Sequence, residues 1–360
     1  MLFGEHAWEQ AQSKVFKAHE AGRLPIVRFR RHQTFEAPEP GLVMLFASIT
    51  PRGEVMTQWA TPEDTATSYE RVTMENGVTY TPSSTSRPVR HVVVSGDHQV
   101  VIEESRRTVP FAQMLSDGSV IQVGARASWN PDGGERNAGH YSSGGVLLHE
   151  ACVGDGVAEM YVDQQDRLWI GYSDEGVFGS FDWGTIYDYE AKEYYQTETP
   201  IGSAGLNRFR SDLSLEWEYP NGRSDEGIPF IAEIYALNVG AASVWNSAYY
   251  EFGITQITEE TVEVISESGP SATQLVTDGE RFASLYPYGP DILNYGVHVS
   301  GGVEHRGIGV LRGPDGGEVQ KVAMHVRDGE LFAVTDNELW KLDIDEIARL
   351  DRGASSTWIA

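Results

Sequence analysis

The 360-residue sequence predicts an all-β fold, a six-bladed β-propeller with a short N-terminal helical segment. Three observations carry this reading. Between Pro25 and Asp343 the chain is a succession of short apolar runs broken by Gly, Asp, Asn and Pro, the pattern of many short strands. Glycine is frequent, at 38 residues, as a turn-rich chain requires. One unit also recurs: an apolar strand, a tight turn holding Asp, Gly or Asn, a second strand, then a further strand pair. Four-stranded units repeated around a ring leave only short, protected sheet edges.

Taken in order, Met1 to Arg23 places Ala7, Trp8, Ala11, Val15 and Ala18 on one helical stripe that stops at Gly22 and Pro25. The first strands of the units open near 42, 111, 157, 231, 272 and 322, as in Phe111-Ala-Gln-Met-Leu-Ser-Asp-Gly118, Val157–Asp163, Ala272–Gly279 and Val322–Gly329. Second strands follow at Val120–Gly124, Leu168–Gly171, Val244–Trp245, Arg281–Ser284 and Leu331–Val334. The hairpin Val89–Glu104 reads as the outer half of the first blade, with a seventh blade as the alternative. The last unit shows one outer strand, Glu338–Leu342, and Ile26–Arg30 is placed to supply its partner and latch the ring. Asp343–Leu350 has room for one or two helical turns. The expected divisions are a helical segment over 1–23, a propeller over 24–350 and a tail over 351–360.

Asp163-Gln-Gln-Asp-Arg-Leu-Trp-Ile-Gly-Tyr172 resembles the D-x-x-x-x-L-W-I-G blade signature of bacterial sensor propellers and of related lyase and NHL-type propellers. The strong match covers about ten residues, and Gly171–Gly179 also resembles a segment of uncharacterised bacterial propellers. The resemblance implies the fold and leaves the chemistry open, because this fold hosts sensors, hydrolases, lyases and scaffolds.

Asp and Glu number 53 against 27 Lys and Arg, a net charge of −26. Such a field repels a phosphate backbone, which argues against nucleic acid or an anionic membrane as a partner. One cysteine, Cys152, permits no intrachain disulfide. No signal-peptide core and no run of about 18 apolar residues is present, so the expected location is cytoplasmic.

The segments 61–88, 127–144, 172–204, 246–253 and 285–307 read as long loops between second and third strands, all on one face. They hold Trp129, Asn130, His140, Asp174, Glu175, Asn246, Tyr249, His298 and His305. Aromatics mixed with carboxylates and amides suit a polar or cationic small ligand. Four residues before the turn Asp of an inner strand stand Gln113, Glu159, Gln274 and Met324, and Glu233 matches Glu159 through a shared Ala-Glu-apolar-Tyr string. A strand glutamate is costly to bury unpaired. Its compensation is either an arginine (Arg126, Arg167, Arg208 or Arg210) or a site at the channel mouth. Gluconolactonase-type propellers have a similar layout, which implies Glu159 or Glu233 with Asn130, Asn246 or Asp174 around Ca2+ or Mg2+. A streptogramin-lyase layout would use His140, His298 or His305. Whether the chain is an enzyme stays open. The expectation is a small-ligand site built from Gln113, Glu159, Glu233, Gln274, Trp129, His140, Asp174, Glu175, Tyr249 and His298. The alternative is a non-catalytic scaffold whose acidic, tyrosine-rich face holds a basic protein.

Overall fold

The computed structural model describes residues 14–75, 77–188, 192–221, 227–249, 252–270, 272–286, 291–319 and 321–353. Six sheets, each with four antiparallel strands, account for most of it. Their inner strands are Val43–Ile49, Pro110–Met114, Val157–Val162, Glu233–Val239, Gln274–Thr277 and Ala323–Arg327. Each inner strand lies against the next, and the sixth lies against the first, so the ring closes. The hairpin Ser84–Ser95 with His98–Arg107 is the outer half of the first blade, so the described residues form six blades and no seventh.

Second strands such as Val120–Gly124 and Leu168–Tyr172 are buried along their whole length. That explains why they read as unbroken apolar runs: neighbouring blades cover both of their faces. The core is accordingly a set of layers between blades. Ile121 and Val123 of the second blade meet Met160, Val162 and Leu168 of the third. Tyr161 and Trp169 of the third meet Ile234, Leu237 and Val244 of the fourth.

The blade signature has a structural cause. Asp163 opens the turn by accepting from the backbone N–H groups of Gln165 (2.9 Å) and Arg167 (3.0 Å), and its second oxygen accepts from the Trp169 indole at 3.0 Å. Gly171 is small because a Cβ there would come within 2.9 Å of the Ile234 side chain on the next blade.

The latch differs from the expectation by a few residues. Arg30–Thr34 is the outer strand of the sixth blade, antiparallel to Glu338–Asp343, while Ile26–Arg28 adds in parallel to Gly302–Arg312 of the fifth. Val27 and Phe29 are buried among Leu311, Trp340 and Leu342, so the segment ties two blades together.

Helix is also not confined to the ends. Residues 14–20 are helical and Ile344–Ile347 forms a turn, but Pro62–Ser68 and Asp174–Phe178 are short helices within loops. Thr61 caps the first of these by accepting from Asp64 N–H at 3.1 Å, with proline in the first turn. That Thr-Pro-Glu-Asp start signal is legible in the sequence. Among the described residues, no helix is long and apolar enough to cross a membrane.

Candidate functional site

The ring surrounds a channel whose short-turn end is closed by the sixth blade. Arg327 is buried there, and its guanidinium donates to Val239 O at 2.7 Å and to Ile49 O at 2.9 Å. One side chain thus bridges blades six, four and one. Burial pushes Arg327 down to about 10, and the guanidinium lies 5.0 Å from the centroid of the Tyr161 ring. His325 donates from Nε2 to Ala47 O at 2.7 Å, and its Nδ1 faces the Tyr161 hydroxyl at 3.2 Å. Phe46 packs edge-on against both His325 and Phe111.

Above this floor, partial solvent contact persists at Phe46, Phe111, Glu159, Glu233, Tyr235 and Met324. Glu159 is half-buried and keeps a solvent-accessible edge, as a residue on a channel wall does. Loss of hydration pushes its carboxyl up to about 8, against a smaller opposing pull from the neighbouring Tyr161 hydroxyl. The four arginines that could have paired with it are engaged elsewhere. Arg126 pairs with Asp155 and Glu175, Arg167 with Asp163, and both Arg208 and Arg210 with Glu216.

Glu233 opens the fourth inner strand at the mouth. Desolvation raises its carboxyl, and the charges of Asp174 and Glu175 raise it further. Asp174 and Glu175 lie in the short helix that the third blade sends over the mouth. Beside them, Tyr249 pairs across the sheet with Glu233 and stacks on Tyr235 with centroids 5.9 Å apart, and Phe252 stands edge-on to both rings. Phe178 and Phe230, 59% and 46% exposed, lean on each other at 6.1 Å. Arg126 sits behind Glu175, 3.0 Å from the buried Asp155 and over the Phe181 ring at 4.3 Å. Burial pushes Asp155 up to about 6, against the opposing pull of Arg126. Two carboxylates thus consume one guanidinium, and the mouth stays negative.

The structure brings Glu233, Asp174, Glu175 and Tyr249 together, with Glu159 further down the channel. It does not align the glutamates and glutamines. Glu159, Gln274 and Met324 stand three residues before the last paired residues Val162, Thr277 and Arg327, whereas Gln113 precedes Met114 by one and Glu233 precedes Val239 by six. The turns differ in length, so counting back from a turn Asp does not give equal depth. Gln113 is fully buried and donates to the Ser48 hydroxyl, and Gln274 is buried opposite Leu285.

Other expected members lie apart. Trp129 is on the rim: its backbone N–H donates to Phe181 O at 2.8 Å, and its indole N–H is buried without a partner. Asn130 caps a turn through Asp132 N–H at 2.9 Å, and Asn246 is buried in the fourth blade with its amide on Thr255 Oγ1 at 2.6 Å. His140 is on the third strand of the second blade, 2.8 Å from Ser119 Oγ beside a short turn. His298 is on the third strand of the fifth blade, next to the hairpin at Gly301 and Gly302. Both histidines therefore serve the face opposite the mouth. Segments 127–144 and 285–307 contain strands Ala138–Tyr141 and Ile292–Val299, whose Gly, Asn, Tyr and His content imitates loop.

Among the described residues no three His, Cys, Asp or Glu side chains converge as a metal would need. Glu159, Glu233, Asn130 and Asn246 are dispersed, so these donors do not fit Ca2+ or Mg2+, and no chemical step is routed through an ion. Sequence reasoning misses Tyr161, His325 and Arg327. The available signal is polar residues alternating with apolar ones on inner strands, Glu159/Tyr161 and His325/Arg327, which puts each pair on one side of its strand.

No protein family's sequence profile matches the chain, and no curated protein matches it in sequence. Solved structures with a similar course include BamB from Moraxella catarrhalis, at 12% identity and TM-score 0.41, covering 87% of this chain and 100% of that one. A catalytically inactive virginiamycin B lyase from Staphylococcus aureus with quinupristin is similar at 10% identity and TM-score 0.38, covering 88% and 99%. A chain of a mitotic checkpoint complex is similar at 9% identity and TM-score 0.41, covering 88% and 93%.

Proposed function

We propose that this propeller binds a cationic small ligand with an apolar or aromatic portion at the long-loop mouth of its channel. One observation carries the reading: Glu233 stands at the mouth where desolvation, and after it the charges of Asp174 and Glu175, raise its carboxyl. The neighbouring Arg126 is already shared between Asp155 and Glu175. A ligand cation relieves that repulsion, and the Tyr235, Tyr249 and Phe252 rings supply faces for cation–π and apolar contact. The scattered donors lend no support to metal-assisted hydrolysis or elimination.

The test is a thermal-shift series with benzylammonium and with spermidine at millimolar concentration. Wild type should be stabilised, by about 2.7 kcal/mol when ligand stands a hundredfold above its Kd. The double variant Glu233→Gln, Asp174→Asn should lose most of that shift. Equal shifts in both proteins, or none in wild type, reject the reading.

A second reading, a scaffold for a basic protein, draws on one feature: Phe178 and Phe230 are exposed outside the channel next to Asp174 and Glu175. Apolar anchors ringed by charge suit a protein interface. Binding of a Lys- and Arg-rich peptide that weakens with salt and is lost in Phe178→Ser would favour it over the small ligand.

A further inference from the structure

On the face opposite the mouth, the short turns of the first three blades enclose a separate cavity. Each turn closes on one backbone bond: Thr50 N–H to Glu54 O at 2.9 Å, Leu115 N–H to Ser119 O at 2.9 Å, and Asp163 N–H to Arg167 O at 3.0 Å. Ser95 and His98, at the tip of the first blade's outer hairpin, complete the wall. The volume is about 360 Å3, within the range of about 300–1,000 Å3 common to small-molecule sites. The turns fix these walls by their own hydrogen bonds. Thr50 Oγ1 accepts from the backbone N–H groups of Arg52 (3.4 Å) and Glu54 (3.2 Å), both of which line the cavity. Asp166 reaches from the third turn to the second, accepting from the Ser116 N–H at 2.9 Å and from the Ser116 hydroxyl. His98 lies over Gly118, where a Cβ would stand 3.4 Å from its Nδ1.

The charges left over in this cavity are of both signs. Asp163 is spent: it pairs with Arg167 at 2.7 Å and accepts from the Trp169 indole and two backbone N–H groups of its own turn. Asp166 is held by Ser116 alone and keeps its negative charge uncompensated. Among the described residues, the side chains of Arg52, Glu54, His98 and Gln164 engage no protein partner, and all four line the cavity. One guanidinium therefore faces the same space as two unneutralised carboxylates. A lone anion there is opposed by Glu54 and Asp166, and a lone cation by Arg52. A ligand that carries both charges close together meets each with its opposite, and an arginine fork suits a carboxylate in particular. Met114 and Leu115, nearly buried, add an apolar lining beside these charges.

We propose that this cavity binds a free α-amino acid with an apolar side chain. Its carboxylate pairs with Arg52, its ammonium with Glu54 and Asp166, and its side chain lies against Met114 and Leu115. His98 and Gln164 supply the remaining hydrogen bonds. The site is on the opposite face from the mouth and does not rest on the cationic-ligand reading.

The test is calorimetry of the full chain at neutral pH with L-leucine and with 4-methylpentanoate, the same molecule without its ammonium group. Leucine should bind, and 4-methylpentanoate should bind at least about tenfold more weakly. Arg52→Gln and Glu54→Gln should each lower the leucine affinity by at least about tenfold. In Glu54→Gln the preference for leucine over 4-methylpentanoate should also shrink, because the ammonium has lost one of its partners. Both substituted side chains are exposed, so the variants should melt with wild type. Three results overturn the proposal: no binding heat with leucine in wild type, equal affinities for the two ligands, or wild-type leucine affinity retained in either variant.

Discussion

Glu159 makes the cost of a buried acid measurable. Its carboxyl is raised from an unfolded value near 4.5 to about 8. Between those values the folded state binds more protons than the unfolded one, so this group's contribution to stability falls as pH rises through the window and is level above it. Replacing it with glutamine should leave stability nearly unchanged at pH 5 and raise it relative to wild type by on the order of 4 kcal/mol at pH 9. Urea unfolding at the two pH values checks this, and a pH-independent difference would contradict it. His91 and His325 act in the opposite direction. Burial lowers both to about 4, so the folded state resists their protonation, and stability should fall as pH drops from about 6.5 toward 4. Asp155 depends on Arg126 in a different way. Arg126→Met strands a buried carboxylate and should cost about 3–5 kcal/mol at neutral pH. The loss should shrink on acidification as Asp155 takes up a proton, which urea melts at pH 5 and pH 8 would show.

At the scale of single elements, the outer strand of the second blade, Leu147–Ala151, presents an exposed edge that carries large apolar residues. Val146, Leu147 and Leu148 are 64%, 45% and 51% exposed. An apolar strand edge is a template for pairing with another chain. Leu148→Lys should lower self-association at high concentration, measured by light scattering, with little change in melting temperature. The turn leading into this strand is intolerant for another reason. Gly145 has φ +78°, and a Cβ there would run into the Val101 carbonyl, so Gly145→Ala should destabilise the second blade measurably. The recurrent strand–turn–strand units are readable because tight turns and doubly covered strands each leave a composition mark. The third strands Ala138–Tyr141 and Ile292–Val299 are not, because glycine and polar residues interrupt their apolar pattern. Read as loops, they put His140 and His298 on the wrong face.

The whole molecule depends on closing the ring. Phe29, 2% exposed, packs with Trp340 and lies between the strands that join blades five and six. Phe29→Ala should cost about 3–5 kcal/mol, and removal of residues 1–35 should broaden the unfolding transition, because the sixth blade then loses its outer strand. A single sharp transition in the truncated chain, seen by calorimetry, would contradict that role. The net charge of −26 should make the folded state gain stability with moderate salt, through screening of self-repulsion.

Local patterning encodes strand after strand, tight turns, six repeats, and a chain end placed to seal them. Asp163, Trp169 and Gly171 announce their blade because their roles are settled within a few residues of one another or against the next strand. The candidate site follows a different logic. Tyr161, His325 and Ala47 come from three blades, with Ala47 and His325 near opposite ends of the chain, so their hydrogen-bonded chain exists only once the ring has brought those strands together. Depth along the channel depends on turn lengths and bulges, which no counting from a turn residue captures. The charge state of a carboxyl depends on how much water the closed ring leaves around it, and that is a property of the assembled fold.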